Sequence, residues 1–166
     1  MIEVEIVGVR LELPSNQPLV LLKESHGERH VPIWIGTPEA SAIALAQQGI
    51  VPARPMTHDL LCDVVEALGR SIKKVHLTSV EDSVFFAELV FDDDSVVSAR
   101  ASDAIAIALR IPCPVLCAEG VLEEAGVEIA ETDEDEEDTA TGENAEKELR
   151  KFREFLDDVE PEDFEN

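Results

Sequence analysis

The run Ala104-Ile-Ala-Ile-Ala-Leu109 carries no polar side chain, and it constrains the fold more than any other stretch. A surface helix shows an apolar stripe and a polar face, whereas a helix apolar on every side belongs inside a core. Helix is the expected state here because Ser102 is a good N-cap. Asp103 also sets a negative charge at the positive end of the helix dipole. The three alanines let neighbouring backbones come close. Ile111-Pro112-Cys113-Pro114 ends the helix, since proline lacks an amide donor and crowds the preceding turn. The chain must therefore wrap other elements round a buried helix whose mouth holds Arg100, Ser102 and Asp103. Polar groups at the end of a buried element make a candidate site, and a well-capped core helix with no site is the plainer reading.

Ile2, Val4 and Ile6, then Val9, Leu11 and Leu13, alternate as strand residues do, and the break at Gly8 predicts a bulge or a sharp bend. Leu19 to Leu22 is continuously apolar and predicts a strand buried on both faces. Gly27 suits a hairpin connection to His30–Ile35, where Pro32 argues for an edge or a strand start. Thr37 as N-cap with Pro38 opens a helix that Gly49 closes. Thr57 as N-cap with Asp59 opens a second, closed by Gly69, with Leu60, Leu61, Val64, Val65 and Leu68 as its apolar face. Residues 72–80, 84–91 and 95–100, joined by short polar turns, read as an antiparallel meander. A short strand, Val115 to Cys117, and a short helix near Glu119 to Ala125 follow the Ala/Ile run. This order predicts an α+β class: a bent, mainly antiparallel sheet with a buried Ala/Ile-rich helix and two further helices. No internal repeat is visible.

Charge divides the chain. Residues 131–166 hold 17 of the 37 acidic residues and 4 of the 13 basic ones, over half of the net charge of −24. Residues 131–144 contain no core former and are expected to be a disordered acidic linker. Residues 145–166 read as an amphipathic helix and tail. Leu149, Phe152 and Leu156 give that helix a face too small to be stable without docking on this chain, a second copy or another protein. Residues 1–130 remain as the folded domain. Strong acidity argues against a broad polyanion-binding groove. Met1-Ile-Glu-Val-Glu-Ile6 lacks the basic head and apolar run of a signal peptide, and no stretch approaches a membrane span. Three cysteines, Cys62, Cys113 and Cys117, suit reduced thiols, and no second pair points to zinc. A cytoplasmic protein with no membrane partner is the expectation.

Three expected helices begin alike, each with a hydroxyl cap and an acid in the first turn: Thr37 with Glu39, Thr57 with Asp59, Ser102 with Asp103. Arg54 and Arg100 stand just upstream of two of them, and His58 adjoins Asp59. If these helix mouths converge, the set suits phosphodiester hydrolysis. Glu39, Asp59 and Asp103 would hold a hard divalent cation, Mg²⁺ or Mn²⁺, which activates water. Arg54, Arg100 and Ser102 would bind the phosphate, and His58 would move protons. The rival reading is three capped helices and no site, because the dipole alone favours an acid in each first turn. Trp34 reads as core rather than as a base-stacking platform. Of Phe85 and Phe86, one should be core and the other interface. His26, His30 and His76 are isolated and weak candidates.

Three blocks carry a resemblance: Val31-Pro-Ile-Trp-Ile-Gly36 with Glu39-Ala40, Arg54-Pro-Met-Thr-His-Asp-Leu-Leu61, and Ala99-Arg-Ala-Ser-Asp-Ala-Ile-Ala-Ile-Ala-Leu-Arg110. In order and spacing they resemble the bifunctional nuclease domain family over roughly residues 1–130. The third block of that family usually reads Arg-Pro-Ser-Asp, and Ala101 replaces the proline here. Residues 151–164 look like the tail of actinobacterial members. The resemblance implies a compact α+β domain that self-associates and a nuclease acting on DNA and RNA; exposed apolar strand residues make a homodimer the expected assembly, and a weak, largely nonspecific cytoplasmic phosphodiesterase is the expected activity. The assignment of Glu39, His58, Asp59 and Asp103 to catalysis, and of Arg54, Arg100 and Ser102 to substrate, rests on the chemistry above. The alternative is a non-catalytic regulatory or protein-binding module with an acidic tail, whose last helix recruits a protein partner.

Overall fold

The computed structural model describes residues 1–129, so the expectations for the linker at 131–144 and the helix and tail at 145–166 lie outside the described residues. Three strands come first: β1 (Ile2–Glu12), β2 (Gln17–Glu24) and β3 (Arg29–Trp34). Helices α1 (Thr37–Gln47) and α2 (Thr57–Ala67) follow. A second run of three strands, β4 (Ile72–Glu81), β5 (Val84–Phe91) and β6 (Val96–Arg100), leads into α3 (Ala101–Ala108). The described part ends with β7 (Val115–Cys117), α4 (Glu119–Ala125) and β8 (Val127–Glu128). Three strands and a helix thus occur twice, although the sequence shows no repeat.

All eight strands form one sheet in the order β6-β5-β4-β7-β1-β2-β3-β8. Every neighbouring pair is antiparallel except β4 and β7, which are parallel. Each meander is a local product of short polar turns. The three-residue β7 joins them, with Val115 set between Val75 of β4 and Val4 of β1. Gly8 does mark a bulge: the pairing with β2 shifts between Ile6 and Gly8, and its φ of +149° favours a residue without a Cβ. Helix α4 packs on both β4 and β3, which have three strands between them in the sheet order, so the sheet curls to bring them together. The expected α+β architecture with a bent, mainly antiparallel sheet is what forms.

The Ala/Ile helix is the centre of the core. Ala104, Ile105 and Ala106 have no exposed surface, and α3 touches α1, α2, β4, β5 and β6. Val20, Leu22, Val31 and Ile33 pack from one meander, and Val75, Leu77, Ala87 and Leu89 from the other. Burial of a Val, Leu or Ile side chain contributes about 1.5–3 kcal/mol each. This core is what holds the mouth of α3 at a fixed place.

Four expectations are corrected. The Leu19–Leu22 run is buried on one face: Val20 and Leu22 are inside, while Leu19 and Leu21 are half-exposed. The N-caps are Gly36, Met56 and Arg100, and none caps through a side-chain hydrogen bond, so Thr37, Thr57 and Ser102 lie within the helices. Trp34 is 47% exposed rather than core. Lastly, α2 contains no buried residue, and Leu60, Leu61, Val64 and Leu68 face outward. Its inner side is carried by His58, Asp59, Cys62 and Val65, all half-buried. Phe85 packs against the core and Phe86 is exposed. The three cysteines are free thiols, and burial pushes that of Cys117 up to about 11. No helix among the described residues is long and apolar enough to cross a membrane.

Candidate functional site

Each meander delivers its last strand into a helix, and these two helix starts meet. Arg100 is the final residue of β6 and keeps extended backbone, with φ −68° and ψ 145°, as it caps α3. Its guanidinium forks onto Asp103: Nε donates to Oδ2 at 2.7 Å and Nη2 to Oδ1 at 3.0 Å. The same Nη2 donates to Glu39 Oε1, in the first turn of α1, at 3.0 Å. One arginine thereby ties the two meander–helix junctions together. A third element joins through His58 on α2, whose Nε2 lies 2.9 Å from Asp103 Oδ1.

Access differs among these groups. The Arg100 side chain is 66% exposed, while those of Glu39 and His58 are 16% and 15% exposed. Among the described residues Nη1 of Arg100 and Nδ1 of His58 make no hydrogen bond, so each group keeps an uncommitted polar atom. Burial would push the Asp103 carboxyl up, but the bonds from Arg100 and His58 outweigh it and hold the group below the usual carboxylate range. Asp103, with Glu39 second, raises the pKa of Arg100 in turn. The site therefore presents a firmly anionic Asp103 behind an exposed, permanently charged guanidinium.

Asp59 belongs to a different cluster. Its Oδ1 accepts from Arg110 Nε at 2.6 Å, and its Oδ2 accepts from the Met56 amide at 2.9 Å. Burial would raise its pKa, and the bonds from Arg110 and Met56 lower it overall. Arg110 also donates to the carbonyls of Ala106 at 2.7 Å and Ala42 at 3.1 Å. It stitches α1, α2 and α3 at the far end of α3, with only 10% of its side chain exposed. Reading the residues in order gave Arg110 no role. The available signal was its place as the first charge after a wholly apolar helix, because a buried charge needs a partner. A cleft of about 310 Å³ lies beside this cluster, between Ile50, Val51, Cys62 and Leu109. Asp59, Asp63 and Arg110 also line it, with Asp59 and Arg110 committed to each other.

The structure thus brings together Glu39, Asp103, His58 and Arg100, and it places Asp59 on Arg110. Ser102 is 9% exposed in the first turn of α3 and belongs to the packed interior. Arg54 is exposed in the connection before α2 and makes no ion pair among the described residues. Among the described residues no three His, Cys, Asp or Glu side chains are grouped so as to hold a metal ion. A cation at Glu39 and Asp103 would have to compete with Arg100 for both carboxylates. The donor set as arranged does not fit a shared cation among Glu39, Asp59 and Asp103.

A family model described as the bifunctional nuclease domain matches residues 20–130, which take in α1, α2 and α3 and every bond of the Arg100 and Arg110 clusters. Two relatives from Mycobacterium tuberculosis are similar along nearly the whole chain. Uncharacterized protein Rv1829 of strain H37Rv is 50% identical over 162 residues, covering 98% of this chain and 97% of the relative. Uncharacterized protein MT1877 of strain CDC 1551 matches with the same identity and coverage.

Proposed function

Because the chain belongs to the bifunctional nuclease domain family, we propose that it hydrolyses phosphodiester bonds of DNA, RNA or both, with little sequence specificity, at the Arg100–Asp103–His58–Glu39 cluster. The observation that carries this reading is the contact of an exposed guanidinium with an anionic Asp103 that also holds a histidine. Arg100 takes a phosphate oxygen through its uncommitted Nη1, as a permanently charged donor, and Arg54 adds a second positive charge. Asp103 accepts Nε2–H of His58, which leaves the Nδ1 lone pair to take a proton from the attacking water. The new bond forms between water oxygen and phosphorus, the bond to the leaving oxygen breaks, and that oxygen takes the proton that His58 removed from the water. Glu39 keeps Arg100 from collapsing wholly onto Asp103. Participation of Mg²⁺ or Mn²⁺ is read from cleavage with each ion against EDTA.

The alternative, a non-catalytic regulatory or protein-binding module, draws on a net charge of −24 and on the outward apolar face of α2. A nuclease assay on extensively repurified protein, run with Mg²⁺, Mn²⁺ or EDTA beside Asp103→Asn, separates the two. Cleavage that falls at least tenfold in the variant in each condition where the wild type cuts supports the reading. Equal cleavage by both proteins, or none by either, leaves the binding module.

A further inference from the structure

We propose that Trp34 is a platform on which an unpaired nucleobase stacks, so that the strand entering the site is single-stranded there. The inference rests on the nuclease reading for its neighbour Arg100, but its test does not require cleavage. Trp34 ends β3 and is 47% exposed, on the face opposite the buried Val31 and Ile33. A large indole left in water is costly unless something covers it. The ring is also oriented, because Nε1 donates to Glu12 Oε2 at 2.6 Å. A fixed, half-open aromatic face is what base stacking needs.

Its position fits a strand running to the site. Trp34 stands five residues before Glu39, whose carboxylate accepts from Arg100 at 3.0 Å. Five residues span at most about 17–18 Å, so the Cα atoms of Trp34 and Glu39 are no farther apart than a short oligonucleotide reaches. Arg10, Leu19 and Trp34 form one cross-strand row, which puts an exposed cation two strands from the ring. Strand spacing makes that roughly 10 Å, suited to a backbone phosphate beside the stacked base. A chain this acidic has few cations for phosphates, and stacking gains affinity without charge. Bases inside a duplex are already stacked on their neighbours, so a duplex cannot use the platform.

Trp34 is the one tryptophan of the chain, which has no tyrosine, so intrinsic fluorescence reports on this ring alone. The full-length protein would be titrated at low salt with a short oligothymidylate and with a blunt duplex of equal length. The expected result is quenching by the single strand and not by the duplex. Anisotropy of a labelled oligothymidylate should show binding about 5- to 100-fold weaker for Trp34→Ala, with Trp34→Phe keeping most of the affinity. Equal quenching by the duplex, no quenching by an oligonucleotide that binds, no binding at all, or unchanged affinity in Trp34→Ala would each overturn the platform. Cleavage without quenching removes the platform and keeps the nuclease, whereas quenching without cleavage does the reverse.

Discussion

Asp103 accepts from Arg100 and from His58 at once, and this makes it measurable apart from any activity. Its folded-state pKa lies below the ordinary value near 3.9. The stability it contributes is therefore fully present above about pH 4 and is lost as pH falls through the lower folded value. Asp103→Asn should accordingly show a shallower loss of stability than the wild type as pH falls below about 4, read by denaturant midpoints at each pH. Parallel curves would mean that Arg100 and His58 do not hold the carboxylate as described. Asp59 behaves in the same direction through Arg110 and gives an internal comparison.

At the scale of elements, α2 differs from its neighbours. It has no buried residue, and two polar ties fix its first turn: His58 to Asp103 and Asp59 to Arg110. Arg110→Met would leave Asp59 without its cation and remove the bonds from Arg110 to the carbonyls of Ala106 and Ala42. That should destabilise the domain by about 3 kcal/mol, with amide protection falling first along α2. Equal loss of protection in α3 would contradict this. The same element shows where the sequence was legible. Helix α3 could be placed because an unbroken apolar run has only one environment open to it. The outward face of α2 could not, because its inner side carries His58 and Asp59, which pattern alone assigns to water. Trp34 was misplaced for the related reason that an exposed indole breaks the general rule. The parallel join through β7 also escaped, since a three-residue strand takes its partners from the fold. Of the site, Arg100, Asp103, Glu39 and His58 were legible as helix-mouth residues. The separation of Asp59 was not, because it depends on Arg110 arriving from the far end of α3.

For the molecule as a whole, β6 is an edge of the sheet among the described residues, and it bears no lysine or proline to guard it. Val96 and Val97 are about half exposed there, with Val84 and Phe86 exposed on the neighbouring strand. An apolar edge of this kind invites pairing with a second copy. We therefore expect a homodimer by sedimentation at micromolar concentration, and a monomer for Val97→Lys. A monomeric wild type would remove the edge-pairing account. Such a dimer would carry two Arg100 clusters, because each begins where β6 ends. The claim that this cluster performs the chemistry is tested most directly by single-turnover cleavage of a labelled oligonucleotide at saturating protein, which separates the chemical step from binding. His58→Ala should cleave about 10²- to 10⁴-fold more slowly while binding with unchanged affinity. Cleavage by His58→Ala at the wild-type rate would contradict it.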